Sequence, residues 1–127
     1  MEKKHILLIE NDEEEVDFFA NALEETHLDF LCSTARNTEQ AIKLLKNVVP
    51  DIIFLDVHIL KSARPALLKK LKQIRSLCKT PVIMYSNTPD EKIKIKLSNN
   101  ETASYFHLPG NVQTMASILE YLVQSNN

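Results

Sequence analysis

The sequence predicts an α/β fold: a single domain over residues 1–127, built as (βα)5, with a doubly wound parallel five-stranded sheet between two layers of helices. Three observations lead there. Five short apolar runs alternate with five stretches of helical periodicity, and right-handed crossovers turn that order into a parallel sheet. Two of the runs, His5–Ile9 and Ile52–Leu55, are continuous rather than alternating, as in strands covered on both faces. The 127 residues suit one core, with no repeat or linker, and Ser125-Asn126-Asn127 reads as a loose tail.

Each element has its own signature. His5–Ile9 is the first strand. Asp12 followed by Glu15 resembles a capping box, and Val16, Phe19, Ala20 and Leu23 then recur at helical spacing. Leu28, Phe30 and Cys32 alternate as a strand. Asn37 with Gln40 opens a second helix, whose stripe is Ala41, Leu44, Leu45 and Val48, and Pro50 closes it. After the strand Ile52–Leu55, a loop leads to Pro65 and a helix carrying Leu67, Leu68, Leu71, Ile74 and Cys78. Pro81 opens the strand Val82–Tyr85. Thr88-Pro89-Asp90-Glu91 supplies a hydroxyl at N-cap, a proline at N1 and a glutamate at N3. That cap decides for a weakly held helix, although Ile93, Ile95 and Leu97 alternate with Lys92, Lys94 and Lys96 as a strand would. Ala103–Phe106 is a short strand, and Val112, Met115, Ala116, Leu119, Leu122 and Val123 stripe a last helix.

Composition narrows the function classes. The apolar fraction of 44% and charged fraction of 25% are those of a soluble globular chain. The apolar runs are too short for a membrane span, and the N-terminus lacks a signal peptide's apolar core, so a cytoplasmic location is expected. A single glycine, Gly110, excludes both a GxGxxG dinucleotide loop and a P-loop; phosphate chemistry must therefore run on side chains and a metal. Cys32 and Cys78 read as reduced core thiols, and the histidines His5, His27, His58 and His107 stand singly, which gives zinc little support. Charge is unevenly spread. Residues 1–30 carry ten acids against Lys3 and Lys4, whereas residues 61–96 carry ten bases against Asp90 and Glu91. The basic half reads as solvated helix faces or as a docking surface for an acidic protein. Nucleic acid is not expected, since no aromatic residues interleave with the bases.

In parallel sheets of this kind ligands bind beyond the carboxyl ends of the strands. There stand Glu10, Asn11 and Asp12 after the first strand, Asp56 after the third and Ser86 after the fourth. Taken singly each acid reads as a cap. Together they form a set of oxygen ligands suited to Mg²⁺, beside an aspartate able to act as a nucleophile and a hydroxyl able to donate to a phosphoryl oxygen.

In this arrangement the chain resembles the receiver domain of two-component response regulators. The resemblance rests on Ile6-Leu7-Leu8-Ile9-Glu10-Asn11-Asp12, Asp51-Ile52-Ile53-Phe54-Leu55-Asp56, Pro81-Val82-Ile83-Met84-Tyr85-Ser86, and Tyr105-Phe106 ahead of Pro109, and covers essentially the whole chain. It implies a flavodoxin-like sheet of order 2-1-3-4-5. It implies Asp56 as phosphoacceptor, taking its phosphoryl group from a histidine kinase or phosphotransfer protein. Mg²⁺ would be held by Glu10, Asn11, Asp56 and the backbone carbonyl of His58, with Asp12 as a further candidate. Ser86 would be the switch hydroxyl and Tyr105 the switch aromatic. With no output domain after residue 124, such a receiver is expected to act by contacting a downstream protein, not DNA.

The sequence departs from the family at three places. Leu108 stands where the family has an invariant lysine that contacts both the aspartate and the phosphoryl group; Lys61 reads as a solvated loop residue more than as its substitute. Asn11 replaces a carboxylate. The loop after Asp56 has Ile59-Leu60 in place of Met-Pro, and no glycine. Nucleophile and hydroxyl remain while their electrostatic support is thinned. The leading expectation is a receiver phosphorylated on Asp56 with weakened chemistry. A second is a pseudo-receiver, a protein-binding module independent of phosphate. A hydrolase on the haloacid-dehalogenase plan has less support, because Asp56-Val57-His58 lacks the second acid at 58.

Overall fold

The computed structural model describes residues 3–62, 69–70, 80–87 and 104–125, with the backbone alone at 60–62, 104 and 105. The elements are β1 (Lys4–Ile9), α1 (Glu13–Glu24), β2 (Phe30–Ala35), α2 (Thr38–Leu45), β3 (Ile52–Asp56), α3 (Val57–Ser62), β4 (Val82–Ser86), β5 (Ser104–His107) and α4 (Val112–Ser125). The strands form one sheet in the order β2-β1-β3-β4-β5, every pair parallel, as the resemblance implies. Of the helix expected around Pro65–Cys78 only residues 69 and 70 are described, and they are helical; the helix expected after Thr88 lies outside the described residues, as do Lys92, Lys94 and Lys96. No helix among the described residues is long and apolar enough to cross a membrane.

Alternation along the central strands divides the core in two. Ile6, Leu8, Ile52, Phe54, Ile83 and Tyr85 face one side, where they pack with Phe19, Ala22 and Leu23 of α1 and Met115, Leu119 and Val123 of α4. Leu7, Ile9, Ile53, Leu55 and Met84 face the other, against Ala41 and Leu45 of α2 and Val57 and Ile59 of α3. The first face is aromatic. The Phe19 ring lies 4.8 Å from Tyr85 and 5.7 Å from Phe54, and Phe106 stands edge-on to Phe54 at 6.4 Å, spacings at which rings attract. Both faces being covered explains why β1 and β3 read as unbroken apolar runs.

Several local expectations change. In α1 the buried small residue is Ala22, whereas Ala20 is exposed; the buried residues Phe19, Ala22 and Leu23 share a cluster with Phe54 and Tyr85. β2 starts at Phe30, with Leu28 packing on the core from outside it, and α2 ends at Leu45, before Val48 and Pro50. Cys32 is exposed, on β2 at the edge of the sheet; Cys78 lies outside the described residues. The chain after Asp56 is not a loop: α3 begins at Val57, with Val57 and Ile59 buried under the second face. A helical turn needs no glycine, so the missing glycine costs nothing there. Ser125, expected to begin a loose tail, is instead the last residue of α4.

Candidate functional site

The register that builds the sheet also builds a row of polar groups at its carboxyl edge. Ile9 pairs with Leu55 and Asp56 with Tyr85, so the next residue of β1, Glu10, comes level with Asp56 and Tyr85. Alternation turns all three toward the face covered by α1, because they continue the series Ile6–Leu8, Ile52–Phe54 and Ile83. The phenol of Tyr85 donates to Glu10 Oε1 at 2.8 Å, and both side chains are buried. The backbone N–H groups of Asn11 and Asp12 donate to Glu10 Oε2 at 2.9 and 3.1 Å. Glu10 is therefore a fully held carboxylate, 1% exposed, with three donors of its own.

Asp56 ends β3 at 7% exposure, and its Oδ1 accepts from the His58 amide at 3.1 Å, which starts α3. Asp12 caps α1, its Oδ1 accepting from Glu14 N at 2.9 Å. The expected capping box is incomplete. Glu15 does not close back onto the Asp12 amide, since Glu10 already accepts that proton. Instead the Glu15 carboxyl turns toward the sheet, where it accepts from the side-chain amide of Asn87. Oxygens of Glu10, Glu15 and Asp56 come within 4.8 Å of one another. An open cleft lined by Glu10, Asn11, Asp12, Asp56, His58 and Ile59 reaches Glu10 and Asp56.

Three acids this close cannot all ionise at ordinary cost. Burial pushes Glu10 up, but hydrogen bonds from Glu15, the Asp12 amide and Tyr85 more than offset it, so its pKa lies below the usual value. Burial raises Asp56 to about 6, against the His58 amide hydrogen bond and with the added charge of Glu10. Glu15 reaches about 8, through burial and then the hydrogen bond and charge of Glu10. Burial and the Glu10 charge also hold the Tyr85 phenol protonated. The set behaves as an ionised Glu10 hydrogen-bonded to a protonated Glu15, beside an Asp56 that is largely ionised at neutral pH. Carboxylate oxygens alone, converging at this spacing, suit a hard dication such as Mg²⁺, which would replace the proton.

The remaining sequence candidates fall around this cluster. Asn11 is exposed on the cleft rim. Ser86 is fully buried as the last residue of β4, opposite His107. Tyr105 pairs through its backbone with Met84, and its side chain lies outside the described residues. Leu108, at the family's lysine position, is 8% exposed and belongs to the aromatic core, its amide bound to Ser86 O at 2.8 Å. Lys61 lies outside the described side chains. Sequence reasoning missed Glu15, Tyr85 and Asn87 as parts of the site. A signal existed for Tyr85, a hydroxyl-bearing ring in a buried strand that needs a partner; Glu15 was absorbed by the helix cap.

With this geometry in hand, likenesses to known proteins become informative. Residues 6–120 match the family described as the response regulator receiver domain. The chain is 31% identical over 124 residues to a probable C4-dicarboxylate response regulator, DctR, of Bacillus subtilis strain 168, covering 91% of this chain and 50% of that protein. It is 20% identical over 122 residues to the sensor histidine kinase TmoS of Ectopseudomonas mendocina, covering 96% of this chain and 12% of the kinase. The chain thus spans half or less of the length of these two relatives. Among solved structures, the phosphorylated cyanobacterial phytochrome response regulator RcpA superposes with a TM-score of 0.73 at 22% identity, over 95% of this chain and 91% of that one. A CheY-like receiver protein from Methanospirillum hungatei JF-1 gives 0.71 at 17% identity, over 98% and 97%. At such identities these structures speak for the fold.

Proposed function

The chain belongs to the response regulator receiver family of two-component signalling, and from that premise we propose that it accepts a phosphoryl group on Asp56 from a histidine kinase or phosphotransfer protein. The observation that carries this reading is the placement of Asp56: buried, anchored through Oδ1 by the His58 amide, and facing an open cleft beside two further carboxyls. One carboxylate oxygen of Asp56 attacks phosphorus in line, and the histidine nitrogen leaves with the electron pair of the broken P–N bond. Mg²⁺ bound by Glu10, Asn11, Asp56 and the His58 carbonyl, with Asp12 at the rim, would supply charge neutralisation for the incoming phosphoryl oxygens. Ser86 donates its hydroxyl proton to a phosphoryl oxygen, and Tyr105 on β5 follows the hydroxyl inward. The new bond favours one of two arrangements of β4 and β5, which is what a switch requires. The signal then passes to a downstream protein, for which the basic segment 61–96 is a candidate dock. A single receiver domain acting in the cytoplasm fits this role.

Leu108 favours a second reading, because an apolar side chain buried in the core cannot contact the phosphoryl group. On that reading the domain binds its partner without phosphate. Incubation of the protein with Mg²⁺ and acetyl phosphate or beryllofluoride separates the two. Slow modification confined to Asp56, seen by intact mass and lost in Asp56→Asn, supports the receiver reading. Beryllofluoride should then perturb amide shifts over residues 86–107 far more in wild type than in Ser86→Ala. No modification and no perturbation would leave the pseudo-receiver.

A further inference from the structure

The donor set at the carboxyl edge differs from the one the family resemblance implies. Asn11, which stands where the family has its second acid, contributes its backbone N–H to Glu10 and is exposed at the rim. Glu10 itself has room for one bond to a cation, on Oε1. One of its oxygens accepts two backbone N–H groups and the other accepts the Tyr85 phenol, while a carboxylate oxygen has about two lone pairs to offer. The group with reach and capacity comes from α1. Because Glu10 has taken the Asp12 amide, Glu15 is released from the capping box, and its carboxyl swings to within 4.8 Å of Asp56 and Glu10. The Asn87 side chain, next to Ser86, holds it there from the end of β4.

We propose that Glu15 supplies the second negatively charged ligand of the cation site, replacing by one turn of helix the carboxylate that Asn11 does not provide. The inference rests on the reading of Asp56 as the centre of a receiver site, and adds a ligand to it. It explains how an asparagine is tolerated after β1. The count of carboxylates around the cation is kept at three, by a residue four positions later that the helix periodicity brings back over the strand ends. Asn87 is then a positioning residue, whose amide holds Glu15 in place rather than binding the cation.

A calorimetric titration of the whole chain with Mg²⁺, repeated with Mn²⁺, tests this on wild type, Glu15→Gln, Asp56→Asn and the double variant Glu15→Gln/Asn11→Asp. Glu15→Gln should weaken binding roughly tenfold or more, as loss of a charged group at a metal site does. The added aspartate at 11 should recover most of that loss, because it restores the carboxylate count. In the metal-free site Glu15 holds a proton, so Glu15→Gln is nearly isosteric there, and a thermal melt without metal at neutral pH should place it close to wild type. Wild-type affinity in Glu15→Gln, together with lost affinity in Asp56→Asn, would overturn the assignment of Glu15 and leave the receiver site standing. Unchanged affinity in both would overturn the two together.

Discussion

The two ends of the active edge have been built on opposite principles. At β1 and β3 the chain buries carboxylates and surrounds them with donors: Tyr85 and two amides on Glu10, the His58 amide on Asp56. At β5 it buries Leu108 in the aromatic core, where the family places a lysine. The acidic half thus gathers carboxylate oxygens of the kind that suit a cation, while the position where the family carries its lysine has become packing. A receiver site is therefore two separable devices. One collects negative ligands by strand register; the other projects a cation from the neighbouring strand. Leu108 meets the end of β4 through its amide, which donates to Ser86 O at 2.8 Å.

Damage to the apolar half should be the most costly. Leu108→Ala should lower unfolding free energy by about 2–4 kcal/mol, as deletion of a buried leucine does, read by chemical denaturation. Leu108→Lys should also destabilise, since its ammonium must leave the core or lie there unpaired. A lysine variant as stable as wild type would show that the pocket is open to the acids and the contrast between the two halves is weaker than drawn.

Next comes the acidic half. Tyr85→Phe removes a donor from a buried carboxylate and should cost roughly 1.5–3 kcal/mol, the range for hydrogen bonds to charged groups. A neutral result would mean that Glu10 finds another donor and is not anchored by β4.

The pH dependence bears on the same half. Asp56 and Glu15 have folded values of about 6 and about 8, above their ordinary 3.8 and 4.5, so the folded state binds their protons more tightly. Their stabilisation is complete below pH 4 and is lost as pH rises through 6 and then 8. Glu10 is shifted down and acts oppositely, losing its contribution as pH falls below its ordinary value of 4.5. Stability should therefore decline between about pH 5 and 8, and saturating Mg²⁺ should flatten that slope by replacing the proton. A melting temperature constant across this window without metal would count against the crowded-acid picture.

The rim should matter least. Glu13 pairs with Arg36 at 3.4 Å with both side chains largely exposed. Glu13→Gln should change stability by less than about 0.5 kcal/mol and leave Mg²⁺ affinity near wild type. A large loss of affinity there would mean that the site reads total acidic charge rather than placed ligands.

Much of this molecule follows from local pattern. The unbroken apolar runs of β1 and β3, the stripe of α4 and the capping residues Asp12 and Asn37 each depend on residues a few positions apart, and period-2 and period-3.6 spacing are local properties. So the sheet, its parallel sense and the meeting of Glu10 and Asp56 at its carboxyl edge were legible in the residues alone. The helical turn at Val57, the exposure of Cys32, the bond from Tyr85 to Glu10 and the turning of Glu15 into the site were not. Each depends on which residues of distant segments come level, and that is decided by strand register and by the seating of α1 on the aromatic face. Glu15 shows the reason most directly. In sequence it completes a helix cap; in the fold Glu10 has already claimed the cap's amide, and competition for one N–H sends a carboxylate into the site.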